Sequence, residues 1–407
     1  MTIRINTARL LESVAELAKI GATEGGGVTR LTLSDEDRAA RDLLATWMTD
    51  AGLDVRIDDL GNMTGLRRGS TDVPPVILAS HIDSVVRGGR YDGALGVLAA
   101  LEVVRTLNDS GIETAKPLSV VNWTNEEGVR FEPALLCSGA VAGAFDVGYV
   151  NDRIDRDGKR FGDELDRIGY RGEIENRPSS ASAYLELHIE QGPVLEADDL
   201  PVGIVGGIFG LAWSEVTITG KSDHAGPSPM HLRRDPLIAA AEIIQGVERI
   251  ATMEDDIAVA TVGRVAVEPN VINTIPGKVV FSVDFRHPDE AVLDTQVSRL
   301  EALVEHVCAE RKVEGKVDTF WRSRPTPFDP AIVAAIRDTV RALGLGERDL
   351  WSGAAHDAKY MADIVPSGMI FVRSQGGLSH AEGEYSTPED IEAGANVLLL
   401  AALQLAG

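Results

Sequence analysis

Cysteine is nearly absent. Cys137 and Cys308 are the only two in 407 residues, too few for a disulfide framework and too isolated for a thiolate metal cluster, so both read as buried free thiols. No run of 18 or more apolar residues occurs, which excludes an ordinary transmembrane helix. The opening Met1-Thr2-Ile3-Arg4 lacks the apolar stretch and small-residue cleavage site of a secretory signal, so a cytoplasmic location is the expectation. Basic residues are in deficit: 39 Lys+Arg against 63 Asp+Glu leave a net charge of -24, with no Lys/Arg-rich block. A surface so acidic disfavours nucleic acid and anionic membrane as partners. Internal repeats and low-complexity tracts are missing too.

What is present has an α/β texture. Residues 6–20 carry apolar positions at helical spacing, and Ser34-Asp35-Glu36-Asp37 looks like an acidic N-cap for a helix reaching about Ala51. A short apolar run at 75–80 predicts a buried strand with His81 at its carboxyl end. A helix follows over 97–107, then a second buried strand over 118–123 that ends just before Glu126-Glu127. Strand, helix, strand with polar residues at the strand ends is the pattern whose sites collect at the carboxyl edge of a sheet.

Beyond Gly210 the strands begin to alternate. Strands at 214–219, 258–267, 278–286 and 316–321, with helices at 235–250 and 291–311, predict a β-α-β-β-α-β insert of four strands and two helices. From Phe328 onward the first texture returns, with a strand at 367–372, a Gly-rich turn carrying Ser379-His380, and a helix to Leu405. At this length two domains are expected. Their boundaries are placed at 1–210 and 326–407 for an interrupted catalytic domain, and 211–325 for the insert.

Histidine is scarce, 8 in all, and its placement is more telling than its number. His81 and His380 each follow an apolar run, and His188 lies within Leu185-Glu186-Leu187-His188-Ile189-Glu190-Gln191-Gly192. Any one of them alone reads best as a hydrogen-bonded structural histidine; their joint placement beside carboxylates reverses that reading. Asp83, two residues after His81, is positioned to accept the imidazole's other N–H, although a turn-capping aspartate is the plain alternative. Asp92 opens Asp92-Gly93-Ala94-Leu95-Gly96, where glycine permits close backbone approach, and a carboxylate there can be shared by two cations. Glu126 and Glu127 are adjacent, so their side chains diverge: one can ligate while the other acts as base. In the insert, His224 of Asp223-His224-Ala225-Gly226-Pro227 is a candidate for binding a substrate oxyanion. Asn273 and Arg286 are candidates for gripping a carboxylate, which guanidinium binds bidentately.

The motifs together resemble one family: the dinuclear-metal aminoacylase/carboxypeptidase-like hydrolases, in the hydantoinase/carbamoylase branch that holds N-carbamoyl-L-amino acid hydrolase, β-ureidopropionase and allantoate amidohydrolase. The resemblance is carried by GGGVTRLTLSDEDRAARD, SHIDSVVRGGRYDGALGV, NEEGVRF, LELHIEQGPVLE, DHAGPSPM, PNVINTIPG, DFRHP, SGAAHDA and GGLSHAEGEYSTPEDI, and spans almost the whole chain. It implies a metallo-exopeptidase-like catalytic domain with a central mixed sheet and an inserted lid and dimerisation domain. His81, Asp92 and His188 would ligate one ion, and Asp92, Glu127 and His380 the other. Glu126 would be the general base acting through a metal-bridged hydroxide, with Asp83 bracing His81. His224 would stabilise the oxyanion in the partner subunit's site, Asn273 and Arg286 would bind the substrate carboxylate, and Gln191 and His356 would line the same pocket. The cofactors implied are two divalent ions, zinc first, with manganese, cobalt or nickel able to occupy the same ligands.

Four positions depart from the branch. Leu211-Ala212 stands where a polar pair is usual, Arg373 where a proline is common and Ala355 where a glycine is. Loss of polar groups at Leu211 and Ala212 favours a less polar N-substituted amino acid over allantoate. The expectation is a homodimeric amidohydrolase acting on a small carboxylate-bearing N-carbamoyl-L-amino acid or related ureido or amide compound. Hydrolysis of an N-acyl amino acid, a dipeptide or allantoate on the same metal core is the alternative.

Overall fold

The computed structural model describes residues 3–253 and 255–407. The chain divides into two compact units, one ending at Gly207 and resuming at Pro327, the other spanning Ile208–Thr326. These bounds lie within three residues of those expected from the change in sequence texture.

In the first unit, strands of a mixed sheet run in the order Asp54–Ile57, Met63–Arg67, Leu118–Trp123, Val76–His81, Ala183–Ile189, Ser367–Val372 and Val202–Ile208. The four in the middle are mutually parallel. All four are buried along their whole length, as expected for strands covered on both faces. The helix Ala94–Asp109 packs on this sheet with almost every residue buried, and the C-terminal helix Pro388–Ala406 lies beside it. Ser34 caps the helix Asp35–Asp50 by accepting the Asp37 N–H, as the acidic N-terminal signal predicts. Register aligns His81 with Trp123 and Phe371 with His188, so the carboxyl ends of the parallel strands open at one edge.

The second unit is an antiparallel sheet backed by two helices, Pro236–Thr252 and Glu290–Arg311. Its long strands are Gly210–Thr219, Lys278–His287 and Glu314–Ser323. The edge predicted as one strand over 258–267 is two, Val259–Thr261 and Val265–Glu268, both paired to Lys278–His287. Thr261 sits opposite Asp284 and Val265 opposite Phe281, so three residues bridge a gap that two span on the partner strand: a bulge divides the edge. A two-residue ladder, Asp223–His224 with Thr274–Ile275, lies apart from the main sheet. The entry strand Gly210–Thr219 pairs directly with the exit strand Glu314–Ser323, Leu211 standing opposite Ser323.

Candidate metal centre

All four histidines of the first unit, His81, His188, His356 and His380, gather at the carboxyl edge of the parallel strands. His81 ends its strand, and His188 is the next-to-last residue of its own. The Nδ1 of each lies against a main-chain carbonyl, at 3.0 Å from Asp83 O and 2.9 Å from Ile189 O. A carbonyl only accepts, so Nδ1 carries the proton in each ring and Nε2 is left as a lone-pair donor. The rings stack with centroids 5.9 Å apart.

Asp92 lies between the histidines. Its Oδ1 is 3.2 Å from His188 Nε2 and its Oδ2 is 3.3 Å from His380 Nε2, which is also 3.6 Å from Glu127 Oε2. Two groupings follow, His81 with Asp92 and His188, and Asp92 with Glu127 and His380, the ligand atoms of each within 4.8 Å of one another. Asp92 belongs to both. Gly93 makes this possible: it has φ of +61°, and a Cβ there would fall 2.2 Å from His81 Nε2.

The electrostatics fit a cation. Burial opposes charge on His188, but Asp92 and Glu186 outweigh it and raise its pKa to about 9, so the surrounding carboxylates favour positive charge at this ring. Burial pushes the Glu127 carboxyl well up, and Asp92 and Asp83 add to it. Glu126 is driven well up by burial and then by Asp357 and Glu127. Buried His188 Nε2 and Glu127 Oε1 make no hydrogen bond. Divalent ions would satisfy these atoms and offset the repulsion among the carboxylates, and the His/carboxylate donor set suits them. Glu126 belongs to neither grouping: buried, it points its Oε2 to 3.5 Å from His81 Nε2.

Asp83 is built in differently from the sequence expectation. Its main-chain carbonyl, and not its carboxylate, holds His81 Nδ1; the nearest carboxylate oxygen is 3.6 Å away. The strand ends at His81, so the alternation that would aim Asp83 at the ring stops there. The carboxylate instead accepts the Thr32 hydroxyl at 2.8 Å and the main-chain N–H groups of Glu126 and Glu127 at 3.3 Å each. Asp83 therefore fixes the turn that carries both glutamates. Behind that turn, fully buried Arg41 pairs with Asp37 and donates to Gly61 O and Thr124 Oγ1.

Gln191, with φ of +58°, donates its amide to both Asp92 oxygens at 3.2–3.3 Å and to Ser379 Oγ at 3.2 Å. His356 is buried against His188, ring centroids 4.4 Å apart, and its Nε2 lies 2.9 Å from Ser352 Oγ. Burial and the neighbouring His188 hold its pKa well below the usual histidine value. Glu186 escaped the sequence reading. It accepts from Ser80 and Tyr184 hydroxyls and the Ala358 N–H, tying three segments behind the ligands. The alternation Tyr184, Glu186, His188 on one strand face is the signal that marks it.

The insert's candidates are described within their own unit. His224 and Asn273, 49 positions apart in sequence, become neighbours: His224 pairs with Thr274 in the short ladder, and Ala225 N–H donates to Asn273 O. His224 Nδ1 accepts the Gly226 N–H at 3.0 Å, which leaves Nε2 outward. Arg286 lies opposite both Leu211 and Val259, and its guanidinium bonds to Asp284. Of the two unusual residues, Leu211 shares the Arg286 face, while Ala212 is 1% exposed within the insert's own core. The expectation that Ala212 borders substrate is thus corrected: a strand presents neighbouring side chains to opposite faces.

A mixed sheet bearing overlapping His/carboxylate cages at the carboxyl edge of its parallel strands, with a buried glutamate beside them, is the arrangement of a metal-dependent hydrolase. Residues 77–404 match the family described as peptidase family M20/M25/M40, and the chain belongs to that family. It is 44% identical over 404 residues to an N-carbamoyl-L-amino-acid amidohydrolase of Rhizobium meliloti, covering 99% of this chain and 97% of that one. An allantoate amidohydrolase of Bacillus subtilis (strain 168) is 36% identical, covering 94% and 93%. The crystal structure of a hydantoinase/carbamoylase family amidase from Burkholderia multivorans superposes with a TM-score of 0.96 at 48% identity, covering 99% of this chain and 98% of that one. The α/β fold and the branch expected from the motifs agree with these relatives, and the enzyme class is hydrolase.

Proposed function

We propose that the protein hydrolyses the linear C–N bond of an N-carbamoyl-L-amino acid. The observation that carries this reading is the sharing of Asp92 between two ligand groupings with Glu126 left over beside them. Two divalent ions, zinc first, would be held by His81, Asp92 and His188 and by Asp92, Glu127 and His380. When bound they supply Lewis acidity at the carbonyl oxygen and an acidified water, which a poorly electrophilic carbamoyl carbon requires. Glu126 takes the proton from the attacking water and returns it to the amino nitrogen as the C–N bond breaks. The amino acid departs, and carbamate breaks down to carbon dioxide and ammonia. Asp83 keeps Glu126 and Glu127 in place through their main-chain N–H groups.

His224 would stabilise the developing oxyanion from a partner subunit. Asn273 and Arg286 would hold the carboxylate, with Gln191 and His356 bordering the reacting group. A homodimer through the insert is supported by apolar side chains open to solvent there, among them Met230, Leu232 and Ile272, the last fully exposed. A cytoplasmic setting is supported by the two buried free cysteines. No helix among the described residues is long and apolar enough to cross a membrane.

Leu211, the cross-strand neighbour of Arg286, supports an apolar substrate side chain over the more polar allantoate. N-acyl amino acid or dipeptide hydrolysis is the alternative on the same core. A screen of N-carbamoyl-L-amino acids, N-acetyl amino acids, dipeptides and allantoate, with zinc, manganese or cobalt added, tests the assignment. Highest kcat/KM is expected for an apolar N-carbamoyl-L-amino acid; preferred turnover of allantoate would defeat it.

A further inference from the structure

The ligands are not held alike. His81 and His188 stand on adjoining buried strands whose ladders fix them. Asp92 and His380 stand in loops, and His380 has a left-handed backbone (φ +54°) with its side chain half exposed. The two loops meet at Glu384, four residues after His380. Its Oε1 accepts the main-chain N–H groups of Tyr91 and Asp92 at 3.1 and 3.0 Å, and its Oε2 accepts the Ser379 hydroxyl at 3.0 Å. Ser379 Oγ also lies 3.4 Å from Asp92 Oδ2. Glu384 is 5% exposed, and a Cβ on Gly89 would fall 1.9 Å from its Oε1, so the carboxylate occupies space that the glycine leaves. Two further links join these loops: Arg87 with Glu382, whose exposed arginine contributes little, and an edge-to-face contact of Tyr91 with Tyr385, ring centroids 6.1 Å apart, which holds neither Asp92 nor His380 itself.

We infer that Glu384 is a positioning residue that locks the Asp92 and His380 loops together, and that the ion of Asp92, Glu127 and His380 depends on it more than the other does. This rests on the two-ion reading. The His81 and His188 ladders survive loss of Glu384. Asp92 keeps its Gln191 contacts and its place ahead of the helix Ala94–Asp109. Among the described residues His380 has no comparable second support.

Equilibrium dialysis against zinc, and separately manganese, with elemental analysis, tests this on wild type, Glu384→Ala and Glu384→Gln. The wild type should bind two ions per chain. Glu384→Ala should bind one at near-native affinity and the second about 10–100-fold more weakly, the usual effect of losing a partner behind a ligand. Glu384→Gln keeps a carbonyl acceptor for the Tyr91 and Asp92 N–H groups and should restore the second ion. Equal weakening of both ions in Glu384→Ala, undiminished binding of both, or a Gln variant as impaired as Ala would overturn the inference. Fewer than two ions in the wild type would instead defeat the two-ion reading itself.

Discussion

The two groups of candidate residues contrast in how they are held. In the first unit most of the candidate residues are backed by a second group: carbonyls behind His81 and His188, Gln191 on Asp92, Asp83 beneath Glu126 and Glu127. In the insert, His224 is exposed on a ladder of two residue pairs and Asn273 is exposed just before that ladder's second strand, and Arg286 rests on Asp284 beside Leu211. The groups proposed to carry the chemistry are wired before substrate arrives; those proposed to grip the substrate remain open to it. Reaction geometry tolerates little displacement, whereas a carboxylate clamp gains from forming around its ligand.

That contrast can be broken by mutation. Glu126→Gln should lower turnover on the order of 10²–10⁴-fold while metal content stays native; near-normal turnover would remove Glu126 as base. A smaller effect is expected from Arg286→Leu: kcat/KM for carboxylate substrates should fall by about 10–200-fold, the worth of a charged hydrogen-bonded pair. Most of that loss should appear in KM, and unfolding free energy should move by no more than about 0.5 kcal/mol. An unchanged KM would place the carboxylate elsewhere. The smallest effect separates two neighbours. Leu211→Gln should shift the ratio of N-carbamoyl to allantoate turnover by less than about tenfold at native stability. Ala212→Gln should cost about 1–3 kcal/mol in urea unfolding, because a longer polar side chain enters a packed core. Equal destabilisation by both would erase the distinction between the strand's faces.

The sequence resolved best what depends on apolar runs. Strands at 118–123 and 367–372 coincide with Leu118–Trp123 and Ser367–Val372 because strands buried on both faces need uninterrupted apolar residues. The site's location followed, since polar residues at the ends of such runs have few other places to go. Contacts that depend on main chain did not follow. Nothing in the composition says that Asp83 turns its carboxylate toward two N–H groups, or that Glu384 reaches back nearly 300 positions to do the same for Tyr91 and Asp92. The bulge that divides the insert's edge was likewise hidden, because alternation persists on both sides of Gly263 and one surplus residue leaves no mark. Leu211-Ala212 reads as a pair in the sequence, but adjacency in sequence is opposition in a strand.

The pairing of the insert's first strand with its last bears on how such an enzyme can diversify. Because Leu211 and Ser323 are ladder partners, the chain leaves for the insert and comes back through neighbouring strands, about 5 Å apart. Everything between them can lengthen, shrink or be exchanged as a cassette without moving a strand of the parallel sheet. On the proposed reading, in which His224, Asn273 and Arg286 grip the substrate, much of substrate preference is then heritable separately from the hydrolytic chemistry, and a lineage can change its diet without rebuilding the residues that would hold metal.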